Sequence, residues 1–187
     1  RVRLLDDTGQ DVREGEPGEL AIKGDQVFQG YWRSEEANRA SFQDGWFLTG
    51  DIARRDSEGF YYVIDRKKDM IISGGENVYS REVERVLHQL DMVAEAAVIG
   101  TPDMTWGERV TAVLCLRVPP SNQVIEELDN YCRPRMAGFK RPRRWVFVDA
   151  MPKNPAGKIL KGALRQGLAT HSLSTLMDWQ SQAIMPR

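Results

Sequence analysis

The hydrophobic period of this chain changes once, between about residues 65 and 80, and that change calls for a two-part architecture. Upstream, Glu19-Leu20-Ala21-Ile22-Lys23, Trp46-Phe47-Leu48, Ile52-Ala53-Arg54 and Phe60-Tyr61-Tyr62-Val63-Ile64 read as short β-strands joined by glycine turns. Ser34 is expected to cap a short helix with Glu35 and Glu36 in its first turn, where the helix dipole favours acids, and Asp44-Gly45 to reverse the chain. Downstream, Val83, Val86, Leu87 and Leu90 recur at helical spacing behind a Ser80 cap. Strands are expected at 94–99 and 110–116, separated by a loop containing Pro102, Asp103 and Gly107, and Pro119-Pro120 blocks any continuation. Ile125, Leu128 and Cys132 predict a second amphipathic helix, 145–148 a third strand and 159–168 a last helix, while no period is evident after Thr170. The expected class is α+β: a strand-rich first part, then a small domain of helices packed on a short sheet.

Composition narrows the function classes. No apolar run approaches the roughly 18 to 20 residues of a membrane span, and the opening Arg1-Val2-Arg3 lacks a secretion signal, which points to a cytoplasmic protein. Cys115 and Cys132 lie far apart without a CxxC or a nearby histidine, so neither a metal site nor a disulfide scaffold is expected. His88 and His171 have no neighbour that would make either a base. The net charge of -1 conceals a polarity: residues 133–165 hold ten Lys or Arg against the single acid Asp149, which is +9 and leaves -10 for the rest. Such a block suits a polyanion, whether nucleic acid or a phosphate-bearing small molecule, or is a solvated basic face.

Three stretches carry chemistry. Thr49-Gly50-Asp51 sets a carboxylate just after a glycine, able to accept two hydrogen bonds from vicinal hydroxyls; taken alone, Gly-Asp is also an ordinary turn. Asp65-Arg66-Lys67-Lys68-Asp69 places cations ahead of Met70-Ile71-Ile72-Ser73-Gly74-Gly75-Glu76-Asn77-Val78-Tyr79, where paired glycines let the backbone turn sharply or lie flat against a ligand. Pro152-Lys153-Asn154-Pro155-Ala156-Gly157-Lys158-Ile159-Leu160-Lys161 displays a lysine on a constrained loop ahead of a helix. It is not a phosphate-binding P-loop, because Ile159 stands where the metal-holding Ser or Thr would be.

The order of these motifs, with Gly18-Glu19-Leu20-Ala21-Ile22-Lys23-Gly24, Gly30-Tyr31-Trp32 and Asp44-Gly45-Trp46-Phe47-Leu48-Thr49-Gly50-Asp51, resembles the adenylate-forming superfamily of acyl-CoA synthetases, peptide-synthetase adenylation domains and firefly-type luciferases. The resemblance runs from about Pro17 to Arg165. It implies that residues 1–67 are the strand-rich end of a large AMP-binding N-terminal domain, 68–170 a C-terminal lid domain and 171–187 a tail. It implies ATP-dependent conversion of a carboxylic acid to acyl-AMP and pyrophosphate, then acyl transfer to CoA. Lys158 matches the catalytic lysine, Asp51 the aspartate on the ribose hydroxyls and Arg66 the arginine on the ribose or phosphate. Lys68 falls at the hinge, and Gly74 and Gly75 on the loop beside the thiol tunnel. Lys140 or Arg141 is expected to attract CoA phosphates, which demotes nucleic acid as a partner.

The Gly74-Gly75-Glu76-Asn77 run is similar to that of acyl-CoA synthetases, which favours CoA over a carrier-protein arm. Ser80 replaces a frequent proline, and Met70-Ile71-Ile72 lacks the lysine of luciferase-like oxidation. No Ser/Thr/Gly-rich loop followed by lysine is present, so the N-terminal domain, the acid pocket and the ligands for the Mg2+ that accompanies ATP are expected upstream of Arg1, with the isolated fragment inactive. Two alternatives stay open: an adenylation domain that loads a carrier protein, and a non-catalytic interaction module that uses the basic segment.

Overall fold

The structure is a computed structural model and describes residues 1–175 and 177–180. Contacts divide the chain into two compact units, the first spanning Arg1–Lys68 and the second beginning at Asp69.

The first unit is an antiparallel sheet with one short helix. Its elements are β1 (Val2–Leu5), β2 (Gly18–Ile22), α1 (Glu35–Ser41), β3 (Phe42–Gln43), β4 (Trp46–Arg55) and β5 (Tyr61–Arg66). The strand order is β1-β2-β4-β3, with β5 also paired to β4. The two apolar runs around Gly50 belong to one strand, β4, because Gly50 takes a left-handed φ of 71° and carries the ladder through an irregularity. Asp44 and Gly45, both at positive φ, reverse the chain between β3 and β4. Ser34 precedes α1 but makes no side-chain cap. Asn38 does the fastening instead: its side-chain oxygen accepts the Tyr31 N–H at 2.6 Å and its amide donates to the Tyr31 carbonyl at 3.0 Å.

The second unit contains β6 (Ile71–Ser73), β7 (Glu76–Val78), α2 (Ser80–Leu87), β8 (Val93–Asp103), β9 (Gly107–Leu116), α3 (Asn122–Cys132), β10 (Arg144–Phe147), α4 (Lys161–Ala169) and β11 (Met177–Gln180). The sheet runs β11-β10-β9-β6-β7, with β8 on β9. Both faces are covered. Val83 and Leu87 of α2 and Ile125, Leu128 and Cys132 of α3 pack with Val98, Ala112, Leu114 and Trp145 on one face. Leu164 and Leu168 of α4 pack with Ala97, Ile99, Val113 and Val146 on the other. This two-sided burial explains why residues 94–99 and 110–116 read as nearly continuous apolar runs.

Three expectations are corrected. Pro102, Asp103 and Gly107 are not loop: Pro102 pairs with Glu108 and Asp103 with Gly107, so β8 and β9 form a long hairpin closed by a three-residue turn. The Asp103 carboxylate shapes that turn. Burial alone would raise its pKa, but the N–H groups of Thr105 and Trp106 and the Arg109 guanidinium hold it below the usual range. Ser80 is not a cap: Tyr79 occupies the cap position of α2 and Ser80 is its buried first residue, with its hydroxyl engaged by Lys161. The segment after Thr170 holds a strand, β11, which runs antiparallel to β10 with Trp145 opposite Trp179. Of the expected tail, 176 and 181–187 lie outside the described residues. The last helix also starts two residues later than expected, at Lys161.

Candidate functional site

In the first unit the pairing of β4 with β5 sets Asp51 directly opposite Arg66, and the Arg66 Nε lies 2.8 Å from the Asp51 Oδ1. Two side chains 15 residues apart in sequence are thereby one charge-assisted pair. The chain enters Asp51 through Thr49 and Gly50: the Thr49 hydroxyl donates to the Leu20 carbonyl at 2.8 Å and accepts the Asp51 N–H at 3.1 Å. Nothing lies within 4 Å of where a Gly50 Cβ would stand, so the approach to Asp51 from that side is open. Beyond Arg66 the strand end is tied down by Lys67, whose Nζ reaches Glu19 at 2.8 Å and Asp7 at 3.4 Å. The Glu19 hydrogen bond, outweighing partial burial, raises the Lys67 pKa. Lys68 follows at the last position of the first unit, inside a short 3-10 turn of Lys67–Asp69.

In the second unit Gly74 and Gly75 are the two central residues of the β6–β7 hairpin, at φ 62° and 83°. Left-handed angles at both positions are what a tight hairpin turn of this hand demands. A Cβ on Gly74 would stand 2.7 Å from the Trp106 ring, whereas one on Gly75 would meet nothing within 4 Å. The Gly74 N–H donates to the Trp106 carbonyl at 2.8 Å, and the Ile72 N–H to the Glu108 carboxylate at 2.8 Å. The Arg143 guanidinium lies over the Trp106 ring, 4.4 Å from its centroid. Burial, then the neighbouring charge of Arg141, lowers the Arg143 pKa.

Lys158 stands on a loop closed by its own backbone. Asn154 is the organiser: its side-chain oxygen accepts the N–H groups of Ala156 at 3.1 Å and Lys158 at 2.9 Å, and its N–H donates to the Lys158 carbonyl at 3.0 Å. Gly157, at φ 80°, completes the turn, and Lys153 bridges Ile159 below it.

The basic segment is largely neutralised. Arg133 and Arg141 lie by Asp129, Arg144 by Asp178, Lys153 by Glu95, Lys161 by Glu84 and Arg165 by Asp69. Lys140 reaches both oxygens of Glu82 at 2.9 Å, so neither Lys140 nor Arg141 is an unengaged charge. Arg135 and Arg143 stack on Tyr131 and Trp106. Among the described residues Lys158 is the one cation of the ten with neither a carboxylate nor an aromatic ring recorded against it.

Sequence reasoning named these positions but missed the residues that place them: Asn154, Glu84, Glu95, Trp106 and Glu108. Only Asn154 carried a local signal, an Asn two residues ahead of Ala156 in a Pro- and Gly-containing loop. No group of three or more His, Cys, Asp or Glu suited to a metal ion occurs among the described residues, and no helix among them is long and apolar enough to cross a membrane.

Residues 82–158 match the model of the AMP-binding enzyme C-terminal domain. The chain is 48% identical over 156 residues to the long-chain-fatty-acid–CoA ligase FadD13 of Mycobacterium tuberculosis, covering 83% of this chain and 30% of that protein. It is 45% identical over 160 residues to the 2-succinylbenzoate–CoA ligase of Bacillus licheniformis, covering 86% of this chain and 33% of that one. Among solved structures, the o-succinylbenzoate CoA synthetase of Bacillus subtilis with its acyl-adenylate intermediate superposes with a TM-score of 0.80 at 40% identity, over 98% of this chain and 35% of that one. The chain thus spans about a third of the length of the relatives it matches.

Proposed function

Because this chain belongs to the adenylate-forming superfamily, as a C-terminal portion of an AMP-binding enzyme, we propose that it serves an acyl-CoA synthetase that converts a carboxylic acid and ATP to acyl-AMP and pyrophosphate and then passes the acyl group to CoA, releasing AMP. The observation that carries this reading is the isolation of Lys158, held on a closed loop and, among the described residues, the one cation of its segment with neither a carboxylate nor a ring against it. In the first half-reaction a carboxylate approaches the α-phosphate, two anions whose repulsion rises with the barrier. A fixed ammonium that meets the charge building on the phosphoryl oxygens lowers that barrier, and Lys158 has no carboxylate partner to release first.

Asp51 is the acceptor for the ribose hydroxyls. Its pairing with Arg66 through one oxygen leaves the second free to accept and holds the guanidinium toward the same ligand. Lys68 is a mechanical position, where a change in φ and ψ would re-aim the second unit. The Gly74-Gly75 turn borders the thiol path, and the open space beside Gly75 leaves room for a pantetheine arm, while Gly74 lies close against Trp106. Arg141 and Lys140 attract CoA phosphates only by exchanging Asp129 and Glu82 for them. Mg2+ accompanies ATP in this chemistry; no group of three or more His, Cys, Asp or Glu suited to the ion occurs among the described residues.

The relatives are named for long-chain fatty acids, 2-succinylbenzoate, ferulate and indoleacetate, yet all are 40–48% identical to this chain. A stretch shared so evenly across different acids supplies chemistry common to them, while the choice of acid is made elsewhere. CoA is the acceptor in all those names, which favours it over a carrier protein. ATP and CoA are cytoplasmic co-substrates, and the reaction is placed there.

The test is Lys158→Ala in the full-length ligase. Pyrophosphate exchange with ATP is expected to fall by about 100-fold or more, as for removal of one transition-state charge donor, with thioester formation from supplied acyl-AMP retained. Exchange at the wild-type rate would remove the proposal, as would pyrophosphate release by the 187-residue chain alone.

A further inference from the structure

Helix α4 begins three residues after Lys158 with neither a capping side chain nor a favourable first-turn charge. Leu160, at its cap position, makes no side-chain bond, and its first turn holds no acid. Its first residue is Lys161, a cation at the end of the helix where the dipole disfavours positive charge. What holds this end is tertiary. The Lys161 Nζ sits 2.7 Å from the Glu84 Oε1 and donates to the Ser80 hydroxyl at 2.6 Å. The same Glu84 oxygen accepts the Val98 N–H at 2.8 Å, and the Lys161 and Glu84 side chains are only 13% and 16% exposed. One lysine therefore ties the start of α4 to α2 and β8 together.

The other leg of the Lys158 loop is fastened to the same strand. Lys153 pairs with Glu95 of β8, and between the legs the Leu160 N–H donates to the Pro152 carbonyl at 2.8 Å. Both ends of the loop are thus referred to β8, through Glu95 on one side and through Lys161, Glu84 and the Val98 N–H on the other. Lys161 cannot itself serve as a second phosphate ligand, since its charge is spent on Glu84 in a largely enclosed position.

We propose that Lys161, paired with Glu84, is a positioning residue that sets where Lys158 stands during acyl-adenylate formation. The proposal rests on the reading of Lys158 given above. A displacement of about 1 Å in a reacting geometry is enough to cost about 100-fold, and the Lys161–Glu84 pair is the side-chain tie nearest the Lys158 loop on its helix side.

The experiment compares Lys161→Met, Lys161→Arg and Glu84→Gln with Lys158→Ala in the full-length ligase. ATP–pyrophosphate exchange reports the first half-reaction and thioester formation from supplied acyl-AMP the second. For Lys161→Met, exchange is expected to fall at least tenfold while the second half-reaction changes less than twofold. Lys161→Arg, which keeps the charge, is expected to recover most of the loss. In the 187-residue chain, hydrogen exchange at the Lys158 and Leu160 amides is expected to quicken in Lys161→Met and Glu84→Gln, a readout that stands if Lys161→Met lowers the yield of folded ligase. Unchanged pyrophosphate exchange in folded Lys161→Met, an equal fall in both half-reactions, or unchanged amide exchange in both variants would overturn the positioning role. Retained pyrophosphate exchange in Lys158→Ala would instead overturn the reading on which it rests.

Discussion

At the scale of single residues, the basic segment separates cations that are paired with carboxylates or rings from Lys158, which has neither recorded against it among the described residues. Lys153 and Lys161 flank Lys158 and resemble it in sequence, but each is consumed by a glutamate, Glu95 and Glu84. That distinction was illegible beforehand, since both glutamates lie more than 50 positions from their partners. The Asp51–Arg66 pair was half legible: both residues stood out, but their direct opposition depends on the register between β4 and β5. The same scale yields a pH prediction. Cys132 is fully buried on α3, and burial, then the nearby Asp129 charge, pushes its thiol from 9.0 to about 11. The folded state therefore holds this proton more tightly than the unfolded chain does. Its contribution to stability is complete below pH 9 and is lost as pH rises through 11, while at pH 8 the thiol stays protonated and unreactive. Thiol labelling at pH 8 is expected to modify Cys132 only as fast as the protein unfolds; labelling at the rate of a free thiol would contradict this.

At the scale of elements, periodicity located the three α-helices of the second unit and the strands β8, β9 and β10, but not the short β6–β7 hairpin, and termini followed tertiary contacts. The strand ends at Pro102, Asp103 and Gly107 look like loop because proline and glycine usually end ladders, yet the Asp103 carboxylate ties down the Thr105 and Trp106 N–H groups and lets the ladder run to the turn. Ser80 looked like a cap because serine favours that position, and lost it to the need of Lys161 for a hydroxyl. The glycine pair gives a graded prediction within one hairpin. Gly75→Ala meets no atom and carries only the penalty of a left-handed residue, about 1 kcal/mol. Gly74→Ala adds a 2.7 Å approach to the Trp106 ring, for a total of about 2 to 3 kcal/mol. Urea unfolding of the two variants is expected to rank them in that order; equal midpoints would mean that Trp106 moves aside without cost.

At the scale of the whole molecule, a segment of +9 in sequence has most of its charge met by carboxylates from outside it. Seven of its ten cations lie against carboxylates drawn from Asp69, Glu82, Glu84, Glu95, Asp129 and Asp178, which belong to the more acidic remainder. A polyanion would have to displace those carboxylates one by one. Retention of the chain on a heparin column is therefore expected to end below about 0.2 M salt, where screening already shortens electrostatic reach to under 10 Å; tight retention to higher salt would revive the interaction-module reading. The tail was the least legible part. Met177–Gln180 does alternate apolar and polar residues, but four residues are too short a run to announce a strand without the pairing its neighbour supplies: Asp178 answers Arg144 and Gln180 answers Arg109. A β-sheet that stopped at Arg144–Phe147 would offer a row of open peptide groups to any extended peptide, a second copy of this protein included. β11 occupies that row from within, with Arg144 opposite Gln180 and Phe147 opposite Met177, so the Arg144–Phe147 strand is an interior strand of the sheet and the edge passes to four residues that carry Asp178 and Gln180.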